Sequence, residues 1–163
     1  MKLRDPHRRA VRAAAENRKD GDASRAIEIL GEVLAADPNH AGANVEMARA
    51  LRLLGDPAEA EGFYRTAVAL VLDYVAICEL AQVVAEQERI AEAEELLDGA
   101  IAMADGNPRL DPGEALLVRA SIALGEGRRD DARAALDAIV RKRARGTTLR
   151  YANLLRARID GQA

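Results

Sequence analysis

Aromatic residues are nearly missing from this chain of 163: one Phe, three Tyr and no Trp, 2% in all. β-sheets draw on aromatic and β-branched side chains to cover a pleated face, so this scarcity argues against a sheet protein. Cysteine is scarcer still. The one thiol, Cys78, excludes an intrachain disulfide and a thiolate-rich metal site. The two histidines, His7 and His40, have no second ligand at metal spacing, so no metal and no cofactor is expected. Long apolar runs are lacking too. The longest, residues 67–72, is six residues, against roughly 18 for a membrane span. The charged amino terminus has no apolar segment of the secretory kind. The expectation is a soluble cytoplasmic protein. High Ala and Arg with little Lys hints at a GC-rich bacterial genome.

What fills the chain instead is alanine, 35 residues of it, within an apolar fraction of 49% and a charged fraction of 31%. That balance is globular, and one domain spanning 1–163 is the expectation. Alanine is the strongest helix former, so the composition predicts packed helices. Catalytic patterns are missing: no phosphate-cradling glycine loop, no His-Glu-x-x-His, no nucleophile beside a base. A non-enzyme is expected.

Small residues recur in register. Ala14, Ala48, Ala81 and Ala120 are separated by 34, 33 and 39 residues. Ala26, Ala60, Ala93 and Ala132 show the same spacings, as do Val33, Ala67, Ala100 and Ile139. Self-similarity at such a period marks stacked helix pairs. The units fall at about 7–40, 41–73, 74–107 and 113–146, with the extra residues in the helix-breaking stretch 105–112. Unit one reads as helices over 7–19 and 23–36 around Asp20-Gly21-Asp22, with Gly21 at the stop and Asp22 as the next cap. Gly55-Asp56-Pro57 repeats this in unit two, and Gly127 serves unit four. Unit three has Glu88 where the others have glycine, which predicts a strained turn. A final helix over about 148–160 would cap the last unit, with Leu149, Leu154 (or Ala152), Leu155 and Ile159 inward and Arg150, Asn153, Arg156 and Arg158 outward.

This pattern resembles the tetratricopeptide repeat. The matching residues are Ala26, Leu30, Val33 and Pro38 in unit one, and Met47, Ala48, Leu51, Gly55, Ala60, Tyr64 and Ala67 in unit two. Units three and four match at Leu80, Ala81, Val84, Ala93, Leu97 and Ala100, then at Leu116, Ala120, Ala132, Leu136 and Ile139. Arg119 departs from the pattern, standing where an apolar residue is usual. The resemblance implies an all-α, right-handed α-solenoid of about four helix-turn-helix units plus the capping helix. It also implies a concave groove lined by the first helix of each unit, which takes a peptide or helix of a partner protein.

By first-helix position the groove residues are Arg8, Val11 and Arg12, then Val45, Glu46, Arg49 and Arg52, then Cys78, Gln82, Leu117 and Ser121. The first half is arginine-rich and the second apolar, so the expected ligand is an acidic segment followed by apolar anchors. Cys78 could be a reactive groove thiol; the simpler reading is a small hydrophobe. The carboxylate clamp of chaperone-binding members is lacking, since Val11, Ala15, Glu46, Val75 and Glu79 occupy its places, and Glu46 and Glu79 would repel a terminal carboxylate.

Charge is segregated. Residues 1–20 carry a net +4, residues 21–127 a net −13 and residues 128–158 a net +7. The densest run, Arg141-Lys142-Arg143-Ala144-Arg145, suits a helix C-terminus, whose dipole favours cations. With so few aromatics to stack on bases and a pI near 5.5, no nucleic-acid partner is expected. The acidic run Glu92-x-Glu94-Glu95 reads as a solvated face. Three roles follow: a scaffold, adaptor or chaperone-like binding module; a docking or regulatory domain serving a separate enzyme; or a homo-oligomer built through the solenoid edges.

Overall fold

The computed structural model describes residues 5–142 and 146–161. Among the described residues are nine α-helices and no strand. They are α1 (Arg8–Lys19), α2 (Ala23–Ala36), α3 (Ala41–Leu53), α4 (Pro57–Leu70), α5 (Tyr74–Glu86), α6 (Ile90–Asp105), α7 (Gly113–Gly125), α8 (Arg129–Arg141) and α9 (Gly146–Ile159). The fold is an all-α helical repeat of the solenoid class. The helices form two compact units, Met1–Ala76 and Ile77–Ala163, and the boundary falls inside α5.

In the first unit α1 packs on α2, α2 on α3, α3 on α4, and α1 also reaches α3. Each helix therefore buries its apolar stripe on sequence neighbours, as a repeat array requires. The register positions form the core. Ala14, Ala26, Ala48 and Ala60 are fully buried, together with Leu30 and Tyr64. The second unit repeats the scheme, α6 on α7, α7 on α8 and α8 on α9, with α7 also touching α9. There Ala93, Ala120, Ala132 and Ile139 have no exposure at all. A methyl group at such a point lets two helices approach closely, which any larger side chain would prevent.

The turns within each repeat share one geometry. After α1, the Gly21 N–H bonds the Arg18 carbonyl at 3.2 Å and the Asp22 N–H bonds the Asn17 carbonyl at 2.9 Å. This double closure of a helix end needs a left-handed residue at its centre. Gly21, Gly55 and Gly127 supply it with φ of 91°, 84° and 72°, and Glu88 supplies it with φ of 63°. The strain expected at Glu88 is present. The Arg89 N–H still reaches the Val84 carbonyl, at 3.3 Å, and the Glu88 N–H reaches that of Ala85 at 2.9 Å.

Caps follow the sequence reading in the first unit. Asp22 accepts from the Arg25 N–H at 3.0 Å, and Asp56 from that of Glu59 at 3.1 Å with Pro57 opening the helix. The start of α3 is capped by a histidine: His40 Nδ1 accepts from the Ala43 N–H at 3.0 Å. That contact puts the ring proton on Nε2, which lies 3.2 Å from Asp5 Oδ2. The rings of His7 and His40 meet edge to face at 6.0 Å. The histidines thus join the starts of α1 and α3.

The C-terminal helix begins two residues earlier than expected and seals the second unit. Ala152 is buried with Leu116, Ala120, Ala135, Leu136 and Ile139, and Leu149, Leu155 and Ile159 pack against them. Leu154, the other candidate for the inward position, is 60% exposed. At 100° per residue, Ala152, three residues after Leu149 and seven before Ile159, falls on their stripe and Leu154 falls off it. A polar tie adds to this seal. Asp111, buried in the long loop, accepts from Thr148 Oγ1 at 2.9 Å and from the Gly113 N–H at 3.0 Å.

Candidate interaction surfaces

In the first unit, α1 and α3 carry the arginine-rich face. Arg8 and Arg12 are exposed, Val11 and Val45 are half-buried, and Arg49 and Arg52 are partly covered. Arg12 pairs along its own helix with Glu16 at 3.0 Å. The centre of the face is Glu46, almost wholly buried. It accepts from Arg18 Nε at 3.0 Å and from Arg49 at 2.6 Å. Two guanidinium groups share this one carboxylate. Glu46 therefore ties α1 to α3 through Arg18. Arg18 was missing from the expected set. It stands seven residues after Val11 and three after Ala15, on the same helical stripe, and that spacing was the available signal.

In the second unit Gln82 of α5 and Ser121 of α7 come together. They line one depression with Ala85, Glu86, Ile90, Ile122, Gly125 and Glu126. Leu117 does not join them; it is half-buried against the Leu136–Ile139–Ala152 cluster. The lining is thus mixed, with two carboxylates at its edge, where an apolar half was expected. Glu86 ends α5 and Glu126 follows α7, outside the first-helix positions that selected Gln82 and Ser121. Cys78 is buried at 4% exposure, so no thiol is offered at a surface.

A second charged cluster lies on α6, α7 and α8. Arg119 reaches Glu94 at 2.7 Å and Asp98 at 2.5 Å, while Arg128 reaches Glu94 at 3.3 Å and Asp131 at 2.9 Å. Glu94 is half-buried, so the acidic run of α6 is not merely a solvated face. Arg119, the departure from the repeat pattern, has its partners one helix back. Of the basic run, Lys142 binds Asp105 at 2.5 Å; residues 143–145 lie outside the described residues. Among the described residues no set of His, Cys, Asp and Glu is arranged to hold a metal, and no helix is long and apolar enough to cross a membrane.

These repeats, their turns and their small-residue contacts define a class. Two family models, each described as Tetratricopeptide repeat, match residues 18–77 and 78–147. The chain belongs to the tetratricopeptide repeat proteins. Among solved structures it is similar to PilW, a type IV pilus biogenesis factor, with a TM-score of 0.78, 20% identity, and 98% of this chain and 72% of that one covered. Pseudomonas aeruginosa pilF aligns with a TM-score of 0.71 and 19% identity over 83% of this chain, which spans 60% of the pilF chain. The Yersinia enterocolitica type III secretion translocator chaperone SycD aligns with a TM-score of 0.67 and 14% identity, covering 78% of this chain and 90% of SycD. At these identities the likeness is one of fold. A search of the curated proteins by sequence found no match.

Proposed function

We propose that the protein is a non-catalytic protein-binding module, a scaffold, adaptor or chaperone-like holder, that takes a peptide or helix of a partner on the first helices of its repeats. The observation that carries this is the surplus of charge on the α1–α3 face. Arg8, Arg12, Arg18, Arg49 and Arg52 stand against Glu16 and Glu46 alone among the acidic residues of those two helices. Guanidinium groups held in place by a neighbouring carboxylate are pre-organised to meet a second one, which lowers the entropy cost of binding. The depression around Gln82 and Ser121 calls for different chemistry: a small apolar side chain beside a lysine or arginine, near Glu86 and Glu126. The ligand supported best therefore carries acidic residues for the first unit and a basic one with a small apolar neighbour for the second. This replaces the wholly apolar anchors expected from the sequence. A cytoplasmic location belongs to the same proposal.

The test is titration of the protein with peptides of both charge orders. Arg12→Glu with Arg52→Glu is expected to weaken binding of the acidic segment at least tenfold. Glu126→Lys is expected to weaken only the basic portion. Equal affinity for acidic, neutral and basic peptides would overturn the reading.

A further inference from the structure

A capping helix is expected to turn a polar face to water; α9 exposes Arg150, Asn153, Arg156 and Arg158, but it also exposes an apolar pair among them. Tyr151 is 67% exposed and Leu154 60% exposed, on a stripe with Arg150 and Arg158, which are exposed as well. The opposite stripe already buries Ala152 and Leu155, so the outward pair contributes nothing to sealing the unit. An apolar pair between two arginines is the composition of an interface anchor.

A matching receptor exists on the first unit. Leu34, Pro38, Ala58, Gly62 and Phe63 line a largely apolar depression between α2, the loop after it and α4, with Glu59, Asn39, Asn44 and Thr66 also in its walls. Its volume of about 630 Å³ is ample for a tyrosine and a leucine side chain. Gly62 is the telling residue. It is exposed in the interior of α4, with φ in the ordinary range and no atom within 4 Å of where a Cβ would stand. A glycine there costs the helix about 1 kcal/mol relative to alanine. No neighbour within the chain requires it. A larger residue would stand in the depression and fill it.

Charge selects the occupant. The second helices of the first unit are acidic: α2 and α4 carry Glu28, Glu32, Glu59 and Glu61 and two cations, Arg25 and Arg65, which pair with Glu28 and Glu61. The α9 stripe is basic. We propose that the depression receives the Tyr151–Leu154 face of α9 from a second copy of this chain, with Arg150 or Arg158 beside Glu59. Donor and receptor are different surfaces, so every copy retains one of each, and the contact propagates from chain to chain. It leaves the α1–α3 arginines uninvolved and does not rest on the peptide-binding proposal.

The experiment is light scattering of the full chain over a concentration series, with circular dichroism on each variant. The wild type is expected to rise above its monomer mass of 17.5 kDa with concentration, and less so at high salt. Tyr151→Ser with Leu154→Ser, and separately Gly62→Gln, are each expected to hold the monomer mass. Gly62→Gln is the discriminating variant, because it improves helix propensity and so removes association without unfolding the chain. Glu59→Arg is expected to weaken association, and Glu59→Arg with Arg150→Glu and Arg158→Glu to restore it. A wild type that stays monomeric to millimolar concentration would overturn the proposal. So would assemblies that persist in both the α9 variant and Gly62→Gln.

Discussion

Glu88 shows how far a single residue can be read. Its position in the repeat demands a left-handed backbone, and glycine is missing there, so the strain is legible in the sequence. The φ of 63° confirms it. A non-glycine residue in that conformation costs roughly 1 kcal/mol. Glu88→Gly is therefore expected to stabilise the protein by about 1 kcal/mol in urea denaturation, with Gly55→Val shifting it the opposite way by a similar amount. Cap acids at Asp22 and Asp56 were equally legible, because their spacing from Gly is local. The His40 cap was not, since histidine is not among the usual capping residues and the Asp5 contact on its other ring nitrogen crosses 35 residues. Asp5 carries a consequence for pH. Its carboxyl is held below the usual range, first by the His7 N–H and then, against a small burial penalty, by His40. A depressed folded value means that stability from this group is complete above about pH 4, its unfolded range, and is lost as pH falls through the lower folded value. An NMR titration of the Asp5 carboxyl is expected to give a midpoint below the model-peptide value of 3.8.

The two helices of the first repeat and the final helix were predicted to within two residues of their bounds, and the repeat boundaries followed from small residues spaced 12 and then 7 apart in each repeat. What spacing could not reveal is how polar side chains cross from one helix to another. Arg18 to Glu46, Arg119 to Glu94 and Asp111 to Thr148 span 28, 25 and 37 residues. None of them repeats, so each is silent in a periodicity argument. They differ in what they contribute. Arg119 and its acids are a quarter or more exposed, and Arg128 backs up Glu94, so Arg119→Ala is expected to cost under about 1 kcal/mol. The Asp111–Thr148 bond is buried, so its loss removes a charge-assisted hydrogen bond that water does not readily replace. Thr148→Val is expected to cost about 1–3 kcal/mol. It should also raise amide hydrogen exchange in α9 more than in α8, measured by mass spectrometry.

At the scale of the whole molecule, the two units differ in the sign of charge on corresponding helices. The first helices of unit one are basic and those of unit two end in carboxylates. Segment charges showed an acidic middle but hid this, because they sum over both faces of every helix. The proposed ligand keeps the acidic segment expected from sequence and replaces its apolar anchors with a basic residue beside a small apolar one, to suit the lining of the Gln82–Ser121 depression. Binding of the acidic half is expected to weaken steeply between 50 mM and 500 mM salt, and binding to the Gln82–Ser121 depression to be more tolerant, since part of it is apolar. Comparing isothermal titrations at the two salt concentrations checks both.

The burial of the one cysteine turns the chain into its own stopwatch. A thiol that is closed off in the folded state reacts with an alkylating reagent only when its helix opens. The rate of labelling at Cys78 therefore measures the opening of α5 under native conditions, with no engineered probe. A cysteine placed on the surface would, by the same logic, be labelled first and alone.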